Sequence, residues 1–573
     1  MKYDMVIKNG TIIDGSGKQR YKADLGVKDG RIATIGSCAE SEVVIDAEGL
    51  FVAPGFIDGH SHSDWSILVH PTGDSKIRQG ITTDLSGLCG YSAAPIYTKE
   101  WYKMLYVRMT VGWSMHYAAA AYNWHPLPYG REIEVDWATL RDYLQKIEDI
   151  GISLNYGMLV GHGSLRYYAM GLEARIAWKE DLDRMKEMLE EAMQQGAFGM
   201  SAGLSGCPGC WANTEELVEL CKIVREYDGV YMPHQRSSRQ AVHLEETIRI
   251  AEESGCRTCM SHTRLNQQTK DILDNARAKG IDITFDYFPY PGSIAGNIVY
   301  MLPHWLSRHR EDGFNWIIEK LKDPSIRREF VERDYPQWVA QQFSIPGQHT
   351  HTFQSDNTPQ PKWGSMQLQS VVTTRNQKLI GKTFAEIAAL KGVDPWEAWF
   401  DIICEEKGYV RWCELYGESS EDMYNEEVEW QLRVPYGCIE SDSPIESPRG
   451  VTISSVDPRS YGTYPLVLEE YVNKRHVLSW EEAIKKMTYN PASAIGLIDR
   501  GLIKEGYWAD LVIIDPNIIS TNANFKTSLE LSRGINIDIY PKGIEYTIVN
   551  GTIVNEHGRL IDVRPGRVLR NSK

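Results

Sequence analysis

Between residues 181 and 290 the chain alternates apolar-faced helices with short apolar strands, and this alternation restricts its fold more than any other feature. "DLDRMKEMLEEAMQQG" places Leu182, Met185, Met188, Leu189, Ala192 and Met193 on one helical face, with Gly196 suited to the C-terminal cap. "TEELVELCKIVREYDG" repeats the pattern with Asn213 or Thr214 as its cap, and strand-like "GVYMPH" follows. "VHLEETIRIAEESG" then leads to "RTCMSH", and "KDILDNARAKG" leads to "IDITFDYFPY". Helices and strands in strict alternation predict a parallel α/β sheet. His234 and His262 each end one of these strands, 28 residues apart, about one βα unit. In a (β/α)8 barrel of the TIM type the strand C-termini ring the face where active sites form.

An earlier segment, "GFIDGHSHSDW", fits the same ring. His60 and His62 follow an apolar lead-in, and residues i and i+2 of a strand share a face. Two imidazoles on one face are two arms of a metal site, or a pair of surface histidines. Other candidates at strand ends are Cys89 in "DLSGLCGYS" and Asp442 in "IESDSP". A lone histidine after a strand is ordinarily structural, and a lone buried cysteine is ordinarily a small hydrophobe. As a set, two histidines on one strand end with a thiol, two further histidines and a carboxylate match the ligand chemistry of zinc.

The two ends of the chain echo each other. "YDMVIKNGTIIDG" and "IEYTIVNGTIVNEHG" are alternating strands broken by Asn-Gly, a hairpin signal, and "ADLGVKDGRIATIG" adds another at Asp29-Gly30. We expect residues 1–54 and 500–573 to form one small β-sandwich domain and residues 55–499 to form the barrel. Residues 305–378, rich in Trp, Gln, Pro and charge, read as an inserted lid, and 99–135 as a second elaborated loop. At 573 residues, one large domain with a smaller companion is the expected scale. A net charge of −16 disfavours a nucleic-acid partner. The lack of any 18-residue apolar run disfavours a membrane one. The N-terminus lacks the basic and apolar regions of a signal peptide, and ten cysteines are too sparse for a disulfide scaffold. A cytoplasmic location is expected.

Taken together, the motifs resemble the amidohydrolase superfamily, and within it the N-acyl-D-amino-acid deacylase (D-aminoacylase) family. They run nearly end to end: "GFIDGHSHSD", "GITTDLSGLCGYSAAP", "LVGHGSLR", "GAFGMSAGL", "MSHTR", "DYFPY", "SDSP", "DPRSYGTYP", "TYNPASAIGL", "GLIKEGYWADLVIIDP" and "PGRVLR". The resemblance implies one or two zinc ions held by His60, His62, Cys89, His234 and His262, with the cysteine in place of a carboxylated lysine. It implies Asp442 as general acid/base. It implies Tyr290 as a substrate contact, and Arg264 and Arg459 as candidates to grip a carboxylate. Arg264 departs from the lysine more often found there, and "SDSPIESPRG" departs from the glycine and histidines that often follow the aspartate.

The implied reaction is hydrolysis of an N-acyl-D-amino acid, a small-molecule substrate, to a D-amino acid and a carboxylate. Asp442 takes a proton from water and passes it to the leaving nitrogen. A hydantoinase-like hydrolase of cyclic amides and a non-catalytic scaffold on the same fold are the rivals. The cysteine ligand counts against the first, and the full ligand set against the second. "CPGCW" (Cys207 to Trp211) has CxxC spacing but no second pair, and is read as incidental. His162 in "GHGSLR" is read as structural. The oligomeric state is not encoded in any of these motifs.

Overall fold

The computed structural model describes residues 2–38, 41–97, 135–171, 173, 175–205, 208–236, 241–290, 296–297, 313–337, 361–371, 373–408, 410–414, 426–447, 457–533 and 535–571. Its middle is an α/β arrangement of parallel strands. These are β1 (Phe56–Asp58), β2 (Ile81–Ser86), β3 (Asn155–Met158, resumed at Val160–Gly161), β4 (Gly199–Gly203), β5 (Val230–His234), β6 (Arg257–Met260), β7 (Ile283–Tyr287) and β8 (Gly437–Ile439). Each pairs in parallel with the next. An isolated parallel bridge joins Ser61, after β1, to Ser443, after β8. Across the same seam the Asp442 N–H donates to the His60 carbonyl at 3.1 Å. The strands are buried nearly throughout, as parallel strands covered on both faces must be. β2 therefore carries Thr82, Thr83, Asp84 and Ser86 into the interior.

Four of the connections are the helices expected from periodicity: α1 (Lys179–Gln194), α2 (Thr214–Glu226), α3 (Ala241–Ser254) and α4 (Gln267–Ala278). α1 buries Met185, Met188, Leu189, Ala192 and Met193, while Leu182 at the edge of the stripe is half-buried. A fully buried Met or Leu contributes roughly 1.5–3 kcal/mol, so a charge at Leu189 would unseat this helix. After α1 the chain reverses at Gly196, whose φ of +104° is a conformation that few residues besides glycine adopt. The cap of α2 is Asn213, whose Oδ1 accepts the Glu216 N–H at 3.0 Å.

The termini build two further sheets. One orders Arg31–Ile35, Leu25–Lys28, Met5–Lys8 and Val43–Asp46. The other runs from Arg559–Leu560 through Thr552–Glu556, Ile544–Val549, Leu511–Ile514, Phe51–Pro54 and Thr11–Ile12 to Tyr21–Lys22. Phe51–Pro54 pairs antiparallel with Leu511–Ile514, so the two ends of the chain share one sheet. Met5, Ile7, Leu25 and Val27 of the first sheet pack with Val52, Leu511, Ile513 and Ile548 of the second. Hairpins form at Asp29-Gly30 and Asn550-Gly551. The hairpin expected at Asn9-Gly10 does not form: Met5–Lys8 and Thr11–Ile12 lie in different sheets. Asn9 instead anchors the crossing, bonding Asp24 through its N–H and Asp46 through its side chain. A side chain on Gly10 would press to 2.7 Å from Val52.

Between β7 and β8 lies a region with its own core. Gly296–Asn297, Val410–Glu414 and Met366–Val371 form an antiparallel sheet, with helices at Gly313–Leu321, Phe384–Lys391 and Pro395–Glu405. Its core is aromatic: Trp363 and Trp396 meet edge-on at 4.9 Å, and Phe330, Trp399 and Trp412 are fully buried. The expected insertion at 305–378 falls within this longer span and is described only at 313–337, 361–371 and 373–378. The expected loop at 99–135 lies outside the described residues except for Val135, as does Cys207.

Candidate metal centre

Parallel pairing brings residues distant in sequence to one end of the sheet. His60 and His62 follow β1, Cys89 follows β2, His234 ends β5, His262 follows β6 and Asp442 follows β8. Cys89 is the hub. Its Sγ lies 3.4 Å from His60 Nε2, 3.5 Å from His234 Nδ1 and 3.2 Å from His262 Nε2. Asp442 Oδ1 lies 3.1 Å from His62 Nε2 and 3.6 Å from His60 Nε2. Two donor groups share Cys89, His60–His62–Cys89–Asp442 and Cys89–His234–His262, each with ligand atoms within 4.8 Å of one another. His60, His62, Cys89 and Asp442 are buried, and His234 is half-buried.

Three of these residues occupy the left-handed backbone region: Cys89 at φ +52°, His262 at +36° and Asp442 at +45°. A non-glycine residue held there costs about 1–3 kcal/mol, and such strain persists only where its surroundings impose it. Around Cys89 the imposition is steric. Gly90 packs so tightly that a side chain on it would meet the Gly203 N at 2.3 Å.

Asp286, inside β7, was not among the residues singled out from sequence. Its Oδ2 lies 3.2 Å from His60 Nδ1, and its Oδ1 accepts the His262 N–H at 2.6 Å. It thereby orients one imidazole and the backbone of another. A carboxylate that takes the Nδ1–H of a histidine leaves Nε2 as the lone-pair nitrogen, and His60 Nε2 is the atom facing Cys89. The signal for it in the sequence was a lone acid inside the apolar strand "ITFDY".

Arg459 and Arg264 part company. Arg459 is fully buried and directs Nη1 to Asp442 Oδ2 at 2.7 Å, with Nε and Nη2 on Asp457. Arg264 Nη2 donates to the Tyr290 carbonyl at 3.0 Å. Both guanidinium groups lie over the Phe288 ring, at 4.5 Å for Arg459 and 5.0 Å for Arg264. The Tyr290 hydroxyl donates to the Pro458 carbonyl at 3.3 Å. His162, also at a strand end, spends Nε2 on Glu216 at 2.7 Å and stands apart from both donor groups.

Burial pushes the His60 imidazole down to about 3, so it is neutral and ligand-ready at physiological pH. Burial, reinforced by Asp442, Asp286 and Glu440, pushes the Cys89 thiol up. Burial and the neighbouring carboxylates of Asp442 and Asp58 push Asp286 up against the pull of the His262 N–H. Burial also opposes ionisation of Asp442, but Arg459 and the surrounding imidazoles outweigh it and hold this carboxyl well below its usual range. A pocket that crowds a thiol and carboxylates around the neutral imidazole of His60 favours a cation at its centre. A thiolate with imidazole nitrogens is a borderline-soft donor set that fits zinc.

The comparisons agree with this chemistry. Residues 43–331 and 381–555 match the amidohydrolase family, and residues 1–55 match the N-terminal domain of the urease alpha-subunit. The chain is 29% identical to N-acyl-D-aspartate deacylase of Alcaligenes xylosoxydans xylosoxydans, over 99% of this chain and 95% of the relative. It is 28% identical to D-aminoacylase of the same organism, over 99% and 97%. A crystal structure of N-acyl-D-glutamate deacylase from Bordetella bronchiseptica was solved with zinc and a phosphonate inhibitor mimicking the reaction's tetrahedral intermediate. It superposes with a TM-score of 0.72 at 27% identity, covering 100% of both chains. The family match spans more than half of the residues and includes every strand end that carries a candidate ligand; the chain belongs to the amidohydrolase family.

Proposed function

We propose that this protein is a zinc-dependent hydrolase that cleaves an N-acyl-D-amino acid to a D-amino acid and a carboxylate. The observation that carries the reading is the convergence of four imidazoles on the Cys89 thiol, with the carboxylate of Asp442 beside His60 and His62. The relatives named for D-amino-acid deacylation, one of them solved with zinc, support the substrate class. His60, His62, Cys89, His234 and His262 are the residues assigned to hold one or two zinc ions. Zinc in such a site lowers the pKa of bound water towards ~7 and polarises the acyl carbonyl.

Asp442 is assigned the proton. Its Oδ2 is held by Arg459, which leaves Oδ1 turned to the imidazoles. Ionised at neutral pH, it accepts the proton of the attacking water and returns it to the leaving nitrogen. Arg264 and Tyr290, joined by their own hydrogen bond, are assigned to the substrate's α-carboxylate, with Arg459 over the same Phe288 ring as Arg264. With carboxylate and scissile carbonyl both fixed, D and L substrates send their side chains to different walls.

In the same reading the eight parallel strands close into a (β/α)8 barrel, supported by the Ser61–Ser443 bridge between the first strand and the last. Residues 1–54 and 500–573 form one β-sandwich domain, supported by the apolar side chains that the two terminal sheets share, and residues 55–499 form the hydrolase barrel. Among the described residues no helix is long and apolar enough to cross a membrane, and we place the protein in the cytoplasm.

The test is amine release from matched N-acetyl-D- and N-acetyl-L-amino acids by metal-stripped and zinc-reloaded protein. Zinc-dependent release from the D series alone is expected. Equal turnover by stripped protein, or a preference for the L series, would overturn the assignment.

A further inference from the structure

Beneath the candidate centre lies a buried cation that the reaction as written does not use. Lys76, in the short helix Asp74–Ile77, is fully buried. Its ammonium has three N–H donors, and three acceptors meet them: Asp58 Oδ2 at 2.5 Å, Ser441 Oγ at 2.7 Å and the Ser443 carbonyl at 2.8 Å. Ser441 and Ser443 are the residues on either side of Asp442. Asp58 reinforces the grip, accepting the Ser441 N–H at 3.0 Å and the Ser441 hydroxyl at 2.5 Å. Asp58 ends β1, two residues before His60.

The described part of the loop is held at further points as far as Glu446. The Ser61 hydroxyl donates to the Ser443 carbonyl at 3.0 Å, the Ile445 N–H donates to Ser63 and Ser66, and the Glu446 N–H donates to Ser75. Most of these contacts fix backbone beyond Asp442. The Lys76–Asp58 pair alone among them bears on both flanking residues, and Asp442 between them is in the left-handed region at φ +45°. A residue in that conformation relaxes when its neighbours are released.

We propose that Lys76 is a positioning residue for Asp442: by clamping Ser441 and Ser443 to the end of β1, it aims the Asp442 carboxylate at His60 and His62, which follow that strand. The inference rests on Asp442 being the proton shuttle of the proposed hydrolysis. It separates the work of the buried side chains: imidazoles and thiol hold the metal, and Lys76 sets the angle of the group that moves the proton. Its loss should therefore appear in turnover and leave metal content and substrate affinity in place.

The experiment measures kcat, KM and zinc content of the zinc-loaded enzyme with an N-acetyl-D-amino acid. The variants are Lys76→Met, Ser441→Ala and Asp442→Asn, and each of the first two combined with the third. The expected result for Lys76→Met is a loss of about a hundredfold in kcat, with KM within about threefold and zinc retained. Ser441→Ala should lose about three- to tenfold in the same way. Neither should lower the residual rate of Asp442→Asn, because a residue acting through Asp442 has nothing left to position. If Lys76→Met does not fold, Ser441→Ala decides, and its unchanged kcat overturns the proposal. Equal losses in the wild-type and Asp442→Asn backgrounds, or losses that follow zinc content, also overturn it. A near-normal kcat for Asp442→Asn alone rejects the shuttle itself, a failure distinct from that of the clamp.

Discussion

Replacing Arg459 by methionine separates two duties that the structure allows for this residue. Methionine keeps an unbranched, buried side chain but removes five N–H donors and the charge. In the wild type Nη1 bonds Asp442 Oδ2 at 2.7 Å, and Nε and Nη2 bond Asp457 at 3.1–3.2 Å, with no part of the side chain exposed. Two buried carboxylates thus lose their partner, and breaking a buried pair in this way costs about 3–5 kcal/mol of stability. For catalysis the relevant loss is the single charge-assisted bond to Asp442, worth roughly 1.5–3 kcal/mol. At 1.36 kcal/mol per decade this is a fall in kcat of about ten- to 150-fold. It should strike an N-acetyl-D-amino acid and its carboxamide, which lacks the α-carboxylate, to the same degree. If Arg459 instead grips the substrate carboxylate, the acid suffers a raised KM of about tenfold or more and the carboxamide is spared. The assay is steady-state kinetics on the two substrates, with zinc content and the unfolding midpoint measured in parallel. A KM effect confined to the acid, with kcat intact, would refute the assignment of Arg459 to Asp442. Unchanged kinetics on both substrates would refute both duties.

Cys89→Ala should lose zinc and activity together, because Cys89 Sγ is shared by both donor groups; elemental analysis of the purified variant checks it. Asp286→Asn should weaken zinc binding by about 10–100-fold, read by competition with a chelator, because an amide holds His60 Nδ1 and the His262 N–H less firmly than a carboxylate. Lys486, buried and donating to the Val434 carbonyl, has its pKa pushed down from 10.5 to about 8 by desolvation. Between those two pH values the unfolded chain binds more protons than the folded one, so stability contributed through this lysine rises with pH. The wild type should gain up to about 3 kcal/mol relative to Lys486→Met as pH rises from 8 to 10.5. A flat difference between their unfolding midpoints across that window would exclude the charge of Lys486 as the cause.

How much of this was legible in the sequence depends on where each residue stands. His60, His62, Cys89, His234, His262 and Asp442 were legible because each follows an apolar strand, and parallel pairing carries strand ends to one place whatever their separation. Asp286, Asp58 and Lys76 were not. They lie inside apolar strands or a short helix, where a single polar residue reads as an interruption until its partners are known. Asp58 meets Lys76 and Ser441, 18 and 383 positions further along the chain, only once the chain between them has folded. Arg459 was legible as a cation near the mouth, but its partners Asp442 and Asp457 became visible only in three dimensions. The helices α1 to α4 followed their apolar stripes because burial and local periodicity agree there. At Asn9-Gly10 they disagree. The dipeptide favours a tight hairpin, but Asp24, Asp46 and Val52 draw the flanking strands into separate sheets.

The pairing of Phe51–Pro54 with Leu511–Ile514 has a consequence for biosynthesis. Val52 lies opposite Ile513, so a ribosome adding roughly 5–20 residues per second needs about 25–90 seconds to supply the partner after the first strand is made. Throughout that interval Phe51–Pro54 presents an open, apolar strand edge, a template for pairing with other chains. The nascent protein therefore carries this edge unpaired until residues 511–514 arrive.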